Sequence, residues 1–168
     1  MTLGGRRPSG RFVVNRIFIA RLVSALGLLI TACGTSGSPS AASSPTPVVS
    51  PAVVVASVTI AGTSQQVLTT PGGLTLYYLT SDTTSAPKCT AACLTHWPPL
   101  LSTGPLALPA GVTGTLTAVQ NANGNQVAYN GHLLYQFAND KAQGDSKGEG
   151  INAFGGTWHA ATPGLTPM

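Results

Sequence analysis

Two segments of the chain have nearly the same pattern, and they decide the fold. Residues 73–82 read Gly-Leu-Thr-Leu-Tyr-Tyr-Leu-Thr-Ser-Asp, and residues 131–140 read Gly-His-Leu-Leu-Tyr-Gln-Phe-Ala-Asn-Asp. Glycine, leucine, tyrosine and aspartate recur at the same offsets, and each copy is followed by a tryptophan, Trp97 or Trp158. Two copies of one strand-and-loop unit predict a pseudo-symmetric β domain.

Short runs of β-type residues separated by turn residues surround these two copies. Asn130 and Gly131 stand between two such runs, and Asn-Gly favours the type I′ turn of a hairpin. Residues 86–96 have room for one helical turn, and no long window keeps a helical period without glycine or proline. The sequence therefore predicts a mainly β fold, a single small antiparallel domain built from two degenerate repeats. The predicted strands are 57–61, 65–69, 74–80, 114–120, 126–129, 133–138 and 157–161.

Side chains alternate between the two faces of a strand, so each copy of the motif has an inner set. Tyr135 and Phe137 share one face, and Tyr77 has the equivalent place in the first copy. Leu76 and Tyr78 make the opposite face of the first copy apolar as well. The pattern predicts a first motif strand that is buried on both sides.

Asp82 and Asp140 stand where the apolar runs end. An aspartate in that place accepts hydrogen bonds from the backbone N–H groups that follow it and fixes the turn. A buried tyrosine passes its hydroxyl to a polar partner. We expect a structural role for these side chains; the alternative is that they contact a ligand in two equivalent clefts.

The pattern resembles a group of secreted bacterial lipoproteins with a tandem repeat that carries a Tyr-x4-Asp motif, often written Tyr-x-aromatic-x-x-Asp. The resemblance covers about residues 72–168, and the first copy departs from the pattern because Leu79 takes the aromatic position. The biochemical function of the group is unknown, so the resemblance implies export and a repeat fold but no chemistry. The residues that match the motif are Tyr77, Asp82, Trp97, Tyr135, Phe137, Asp140 and Trp158.

The first 33 residues have the order of a lipoprotein export signal. Residues 1–21 contain five arginines and no acid, and an apolar run of 11 residues, 22–32, leads to Ile30-Thr31-Ala32-Cys33. That run is too short to span a bilayer and suits a signal peptide, while its end resembles a lipobox, in which the cysteine receives a diacylglycerol. An ordinary signal peptide with a chance cysteine, or a buried helix, is the alternative.

These boundaries divide the chain into a signal peptide (1–32), a lipidated Cys33 followed by a disordered Ser/Pro/Ala-rich linker (33–57), and a β domain (58–168) with repeats at about 72–99 and 130–164. Only 7% of the chain is charged, against about 25% in an average protein. After Cys33 the chain has three lysines and four acidic residues, a net charge of −1. This composition disfavours a cytosolic enzyme or a nucleic-acid binder.

Cysteines and histidines are the remaining candidates for chemistry. Cys89 and Cys93 are expected to form a structural disulfide in an oxidising compartment. A redox pair is disfavoured because three residues separate them instead of two. His96 and His159 each adjoin a repeat tryptophan and, with His132, are the candidates for a copper, zinc or haem site, although their spacing matches no metal signature.

The sequence as a whole predicts a lipid-anchored exported protein that faces the extracytoplasmic side of the cell membrane. We expect a non-catalytic binding or envelope module without a cofactor, since no G-x-S-x-G nucleophile motif occurs. The expected partners are the membrane, through the lipid, and an envelope protein or polymer. The alternative is a redox or metal-linked lipoprotein that uses His96, His132, His159 and the Cys89–Cys93 pair.

Overall fold

The computed structural model describes residues 51–168, and within them the chain is built from short antiparallel strands and one short 3-10 helix. The predicted mainly β fold is confirmed. Cys33 and the predicted signal peptide lie outside the described residues. The strands are β1 (Val54–Ile60), β2 (Thr63–Thr69), β3 (Tyr77–Leu79), β4 (Leu116–Asn121), β5 (Gly124–Tyr129), β6 (His132–Leu133), β7 (Asn152–Ala153) and β8 (Gly156–Ala160), and the 3-10 helix is Ala91–Thr95.

The strands form three small sheets, ordered β1-β2, β3-β8-β7 and β4-β5-β6. The turn between β5 and β6 is Asn130-Gly131, with φ angles of 50° and 89°. Positive φ at both central residues defines the type I′ turn, and asparagine and glycine tolerate it best. The hairpin predicted at this position is confirmed.

The same three-stranded hydrogen-bond pattern occurs twice. In one copy Leu76 donates its N–H to the carbonyl of Leu68, Ala161 donates to Leu76, and Leu68 donates to Ala161. In the other copy Leu134 donates to the carbonyl of Val127, Leu100 donates to Leu134, and Val127 donates to Leu100. Leu100 directly follows Trp97-Pro98-Pro99 at the end of the first repeat, and Ala161 lies near the end of the second. We call these two ends the closing segments, and each pairs with the motif strand of the other repeat.

The two motif strands meet directly at their tyrosines. The N–H of Tyr77 donates to the carbonyl of Tyr135 at 2.8 Å, and the N–H of Tyr135 returns the bond at 2.9 Å. The motif strands of the two repeats therefore pair with each other at equivalent residues.

Both faces of the motif strands are covered, as the sequence predicts for the first copy. One face packs Tyr77 and Tyr135 against the two tryptophans, and the other packs Leu76 and Leu134 with Tyr129. All these side chains are buried. A strand buried on two sides presents an apolar run, which is the reason that the alternation is weak in residues 73–82.

The structure corrects the predicted start of the domain. Residues 54–57, which the composition places in the linker, belong to β1, and Val53 before them is fully buried. The prolines and serines farther upstream dominate the composition there, whereas the local run of valines has the branched side chains that favour a strand.

The predicted strand 133–138 is also corrected: β6 ends at Leu133, and Tyr135 forms only single bridges to Tyr77 and Pro99. Gln136 donates its N–H to the carbonyl of Pro98. Pro98 has no N–H to return, so a regular ladder cannot form. In the other repeat the equivalent residue is His159, which pairs with Tyr78 in the sheet.

Candidate functional site

The tyrosine and the aspartate of each motif bond across the repeats and not within them. The hydroxyl of Tyr77 donates to Oδ2 of Asp140 at 2.6 Å, and the hydroxyl of Tyr135 donates to Oδ2 of Asp82 at 2.7 Å. We call these the cross-repeat pairs. All four residues are buried, with no more than 4% of any of them exposed.

The second carboxylate oxygen of each aspartate fixes its own loop. Oδ1 of Asp82 accepts the N–H of Lys88 at 2.6 Å, and Oδ1 of Asp140 accepts the N–H of Lys147 at 3.0 Å. Both contacts have the form expected for an aspartate that fixes a following turn. Since each carboxylate uses both oxygens inside the domain, the motif favours the structural interpretation over two ligand clefts.

The two repeat tryptophans stack on each other between the cross-repeat pairs. The rings of Trp97 and Trp158 are nearly parallel, with an interplanar angle of 3° and centroids 3.7 Å apart. Tyr77 meets Trp97 edge-on at 5.5 Å, and Tyr135 meets Trp158 edge-on at 5.1 Å. Phe137 packs beside Trp97 at 4.4 Å. These residues, all singled out from the sequence, therefore form one aromatic cluster.

Burial governs the ionisation of the cross-repeat pairs. Desolvation, followed by the hydrogen bond to the partner aspartate, raises the pKa of Tyr77 and of Tyr135 well above the ordinary value. Desolvation also raises the pKa of Asp82, and the hydrogen bond from Tyr135 works in the opposite direction. The tyrosines are thus held in the neutral, donating form that the pairs require.

Cys89 and Cys93 lie in the loop that follows Asp82. Their sulfur atoms are 1.93 Å apart, at disulfide distance, and both residues are buried. The carbonyl of Cys89 also accepts a hydrogen bond from Asn123 at 3.0 Å. The pair closes the loop that follows Asp82, which supports the predicted structural disulfide.

His132 and His159 share an aromatic neighbour, whereas His96 lies against a different ring. Nδ1 of His159 lies 2.7 Å from Oε1 of Glu149, and both His159 and His132 pack against the ring of Tyr78. His96 instead packs against Phe154. Among residues 51–168, no three His, Cys, Asp or Glu side chains are grouped so that they could hold a metal ion.

An open groove was not foreseen from the sequence. It has a volume of about 340 Å³ and lies between residues 113–115, Asn130 and residues 163–167. The side chain of Asn130 accepts the N–H of Thr115 and donates to the carbonyl of Leu165. Its wall comes from three separate stretches of the chain that folding brings together, so no local motif could have marked it.

One protein family matches part of the chain. A family model described as a secreted repeat of unknown function matches residues 117–162. The match includes Tyr135, Asp140 and Trp158 of the second motif copy and stops short of the first copy. No curated protein and no solved structure matches the chain. In the part of the chain that the structure describes, no helix is long and apolar enough to cross a membrane.

Proposed function

We propose that this chain is a lipid-anchored exported protein whose β domain is a non-catalytic binding or envelope module. The match of residues 117–162 to a secreted repeat supports export. The arginine-rich start, the apolar run 22–32 and the Ile-Thr-Ala-Cys sequence that ends at Cys33 support a lipid as the anchor. Stable attachment needs two or more acyl chains, since one chain binds only marginally.

The cross-repeat pairs carry the non-catalytic part of the proposal. A general acid or base needs a free atom within reach of a substrate. In Asp82 and Asp140, by contrast, one oxygen accepts a hydrogen bond from a buried tyrosine hydroxyl and the other accepts one from a backbone N–H group. The residues that define the motif therefore hold the domain together, and a ligand has to bind on its surface.

The Glu149–His159 contact is the arrangement most like catalytic machinery. A carboxylate that orients a histidine is one part of a nucleophile-activating relay. Within residues 51–168 no serine or threonine hydroxyl is hydrogen-bonded to this histidine, and Oε2 of Glu149 accepts the N–H of Ala160 at 2.6 Å. The contact therefore fits a role in holding β8 to the loop that precedes β7.

Substitution of Cys33 tests the anchor. Cys33→Ser removes the thiol that would take the diacylglycerol, so the mature protein should leave the membrane fraction and the detergent phase. Cys89→Ser is the matched control and should leave membrane attachment unchanged. Membrane attachment that survives Cys33→Ser would refute the proposal. An N-terminal peptide of the wild-type protein whose mass shows no added lipid would also refute it.

The metal-linked alternative makes a different prediction. It requires His96, His132 and His159 to share a ligand, whereas His132 and His159 pack against Tyr78 and His96 packs against Phe154. Native mass spectrometry of the full chain in detergent, compared with the denatured mass, decides between them. A metal adduct that disappears in a His96→Ala/His159→Ala variant would favour the alternative.

A further inference from the structure

The turn between β7 and β8 places a large apolar side chain in an unfavourable backbone conformation. Phe154 and Gly155 have φ angles of 57° and 87°, so both are left-handed. Glycine adopts this region freely, whereas a bulky residue there is a genuine outlier. Phe154 is nonetheless 43% exposed.

Two other turns of the same kind show that the fold does not need a phenylalanine here. Asn130-Gly131 has asparagine, which tolerates positive φ, and Ala61-Gly62 has a small side chain. Phe154 belongs to neither apolar cluster of the core. Its aromatic contact is with the exposed ring of His96, whose centroid is 6.4 Å away. A strained residue that does not pack in the core points to a use outside the fold.

The surroundings of Phe154 indicate the kind of partner. Asn152 and Thr157 flank the turn with neutral hydrogen-bonding groups, and their side chains meet at 3.4 Å. The four carboxylates of the described residues are all engaged within the domain. Asp82 and Asp140 are in the cross-repeat pairs, Asp145 binds Lys147, and Glu149 binds His159. These carboxylates are therefore not free to hold a cation, and the exposed ring with its neutral polar neighbours suits a ligand that has one apolar face and carries hydroxyl or amide groups.

We propose that Phe154, with His96 beside it, is a contact site for a neutral glycan of the cell envelope. This inference rests on the proposed binding function and names its ligand class. A sugar ring presents C–H groups on one face, which stack on the negative face of an aromatic ring. The hydroxyl and amide groups at its rim then meet His96, Asn152 and Thr157.

Substitution of Phe154 separates strain from binding. Phe154→Asn places the preferred residue in the turn, so the thermal midpoint should rise by roughly 3–8 °C. Binding of chitohexaose, a neutral N-acetylglucosamine hexamer, should at the same time weaken about tenfold or more. Phe154→Ala should weaken binding equally, and Phe154→Trp should retain it. The protein is the full chain in detergent, measured by circular dichroism and by titration calorimetry.

The exposed side chain of Leu101 provides the matched control, because Leu101→Ala removes a similar apolar group elsewhere. It should leave sugar binding unchanged. The inference is overturned if wild type does not bind the hexamer, if Phe154→Asn binds it as wild type does, or if Phe154→Asn melts no higher. The wild type could instead bind phosphatidylglycerol vesicles and no sugar. If Phe154→Asn abolishes that binding, the turn is a membrane contact and the glycan inference is wrong. If membrane attachment depends on Cys33 but sugar binding fails these tests, the glycan inference is refuted and the lipid anchor is not.

Discussion

The hydroxyl of Tyr77 donates a 2.6 Å hydrogen bond to Asp140, which lies 63 residues away in the sequence. Tyr135 and Asp82 form the equivalent pair at 2.7 Å, across 53 residues. The tyrosine and the aspartate of one motif copy, which are close in sequence, thus belong to different pairs. Separation of the two repeats would break both bonds at once, so the motif joins the repeats to each other.

Loss of one tyrosine hydroxyl should destabilise the domain. Tyr77→Phe leaves a buried oxygen of Asp140 without its donor, which costs about 1–3 kcal/mol. Unfolding in urea measures this change in the free energy of unfolding. Tyr78→Phe removes a hydroxyl from a half-buried neighbour and is expected to stay within about 0.5 kcal/mol of wild type. Equal stability of the two variants would contradict a bonding role for the Tyr77 hydroxyl.

High pH should weaken the fold through the same two tyrosines. Burial and the aspartate hydrogen bonds raise the pKa of Tyr77 and Tyr135 in the folded protein. Above about pH 10 the unfolded chain releases both protons while the folded protein keeps them, so the free energy of unfolding falls as pH rises. The variant with Tyr77→Phe and Tyr135→Phe should show a shallower decline than wild type. Urea titrations at several alkaline pH values measure the two slopes, and identical slopes would count against raised pKa values.

Close packing against the aromatic cluster should make Gly148 intolerant of a methyl group. A Cβ atom at this position would lie 2.8 Å from Cη2 of Trp97 and 2.9 Å from Cε1 of Tyr77. Gly148→Ala should therefore destabilise the domain by about 1–3 kcal/mol. In Gly72→Ala the nearest atom would be Oγ1 of Thr70 at 3.7 Å, so little change is expected. Thermal unfolding of the two variants compares them directly, and a tolerated Gly148→Ala would show that the cluster is loosely packed.

Acid should remove a contribution from Asp145. The hydrogen bond from Lys147 and two backbone N–H groups lower the pKa of this partly exposed carboxyl from 3.8 to about 2. Its stabilising effect is fully present above the unfolded value near 4 and disappears as the pH falls through about 2. In Asp145→Asn the melting temperature should fall less steeply over this interval than in wild type. Asp82 is unchanged in both proteins, so its raised pKa does not affect the difference, and parallel curves would contradict the lowered pKa of Asp145.

The repeated pattern predicted much of this architecture, because strand alternation and turn residues are local signals. The hairpin turn at Asn130-Gly131, the two-sided burial of the first motif strand and the mainly β fold all follow from residues near one another in sequence. The aspartates were expected to bind backbone N–H groups in their own loops, and they do.

The partners of the tyrosines could not be predicted in the same way. A repeat shows that two units are alike but not which unit supplies the partner of each side chain. The exchange of closing segments is decided by tertiary packing, in which Ala161 pairs with Leu76 and Leu100 pairs with Leu134. The conformation of Phe154 was also missed, since phenylalanine followed by glycine is not a usual type I′ sequence.

A pair of double-mutant cycles tests the cross-repeat connection most directly. One cycle combines Tyr77→Phe with Asp140→Ala, and the other combines Tyr77→Phe with Asp82→Ala, each measured by urea unfolding. We expect a coupling energy of about 1 kcal/mol or more in the first cycle and a clearly smaller one in the second. Equal coupling in the two cycles, or a larger coupling between Tyr77 and Asp82, would contradict bonding across the repeats.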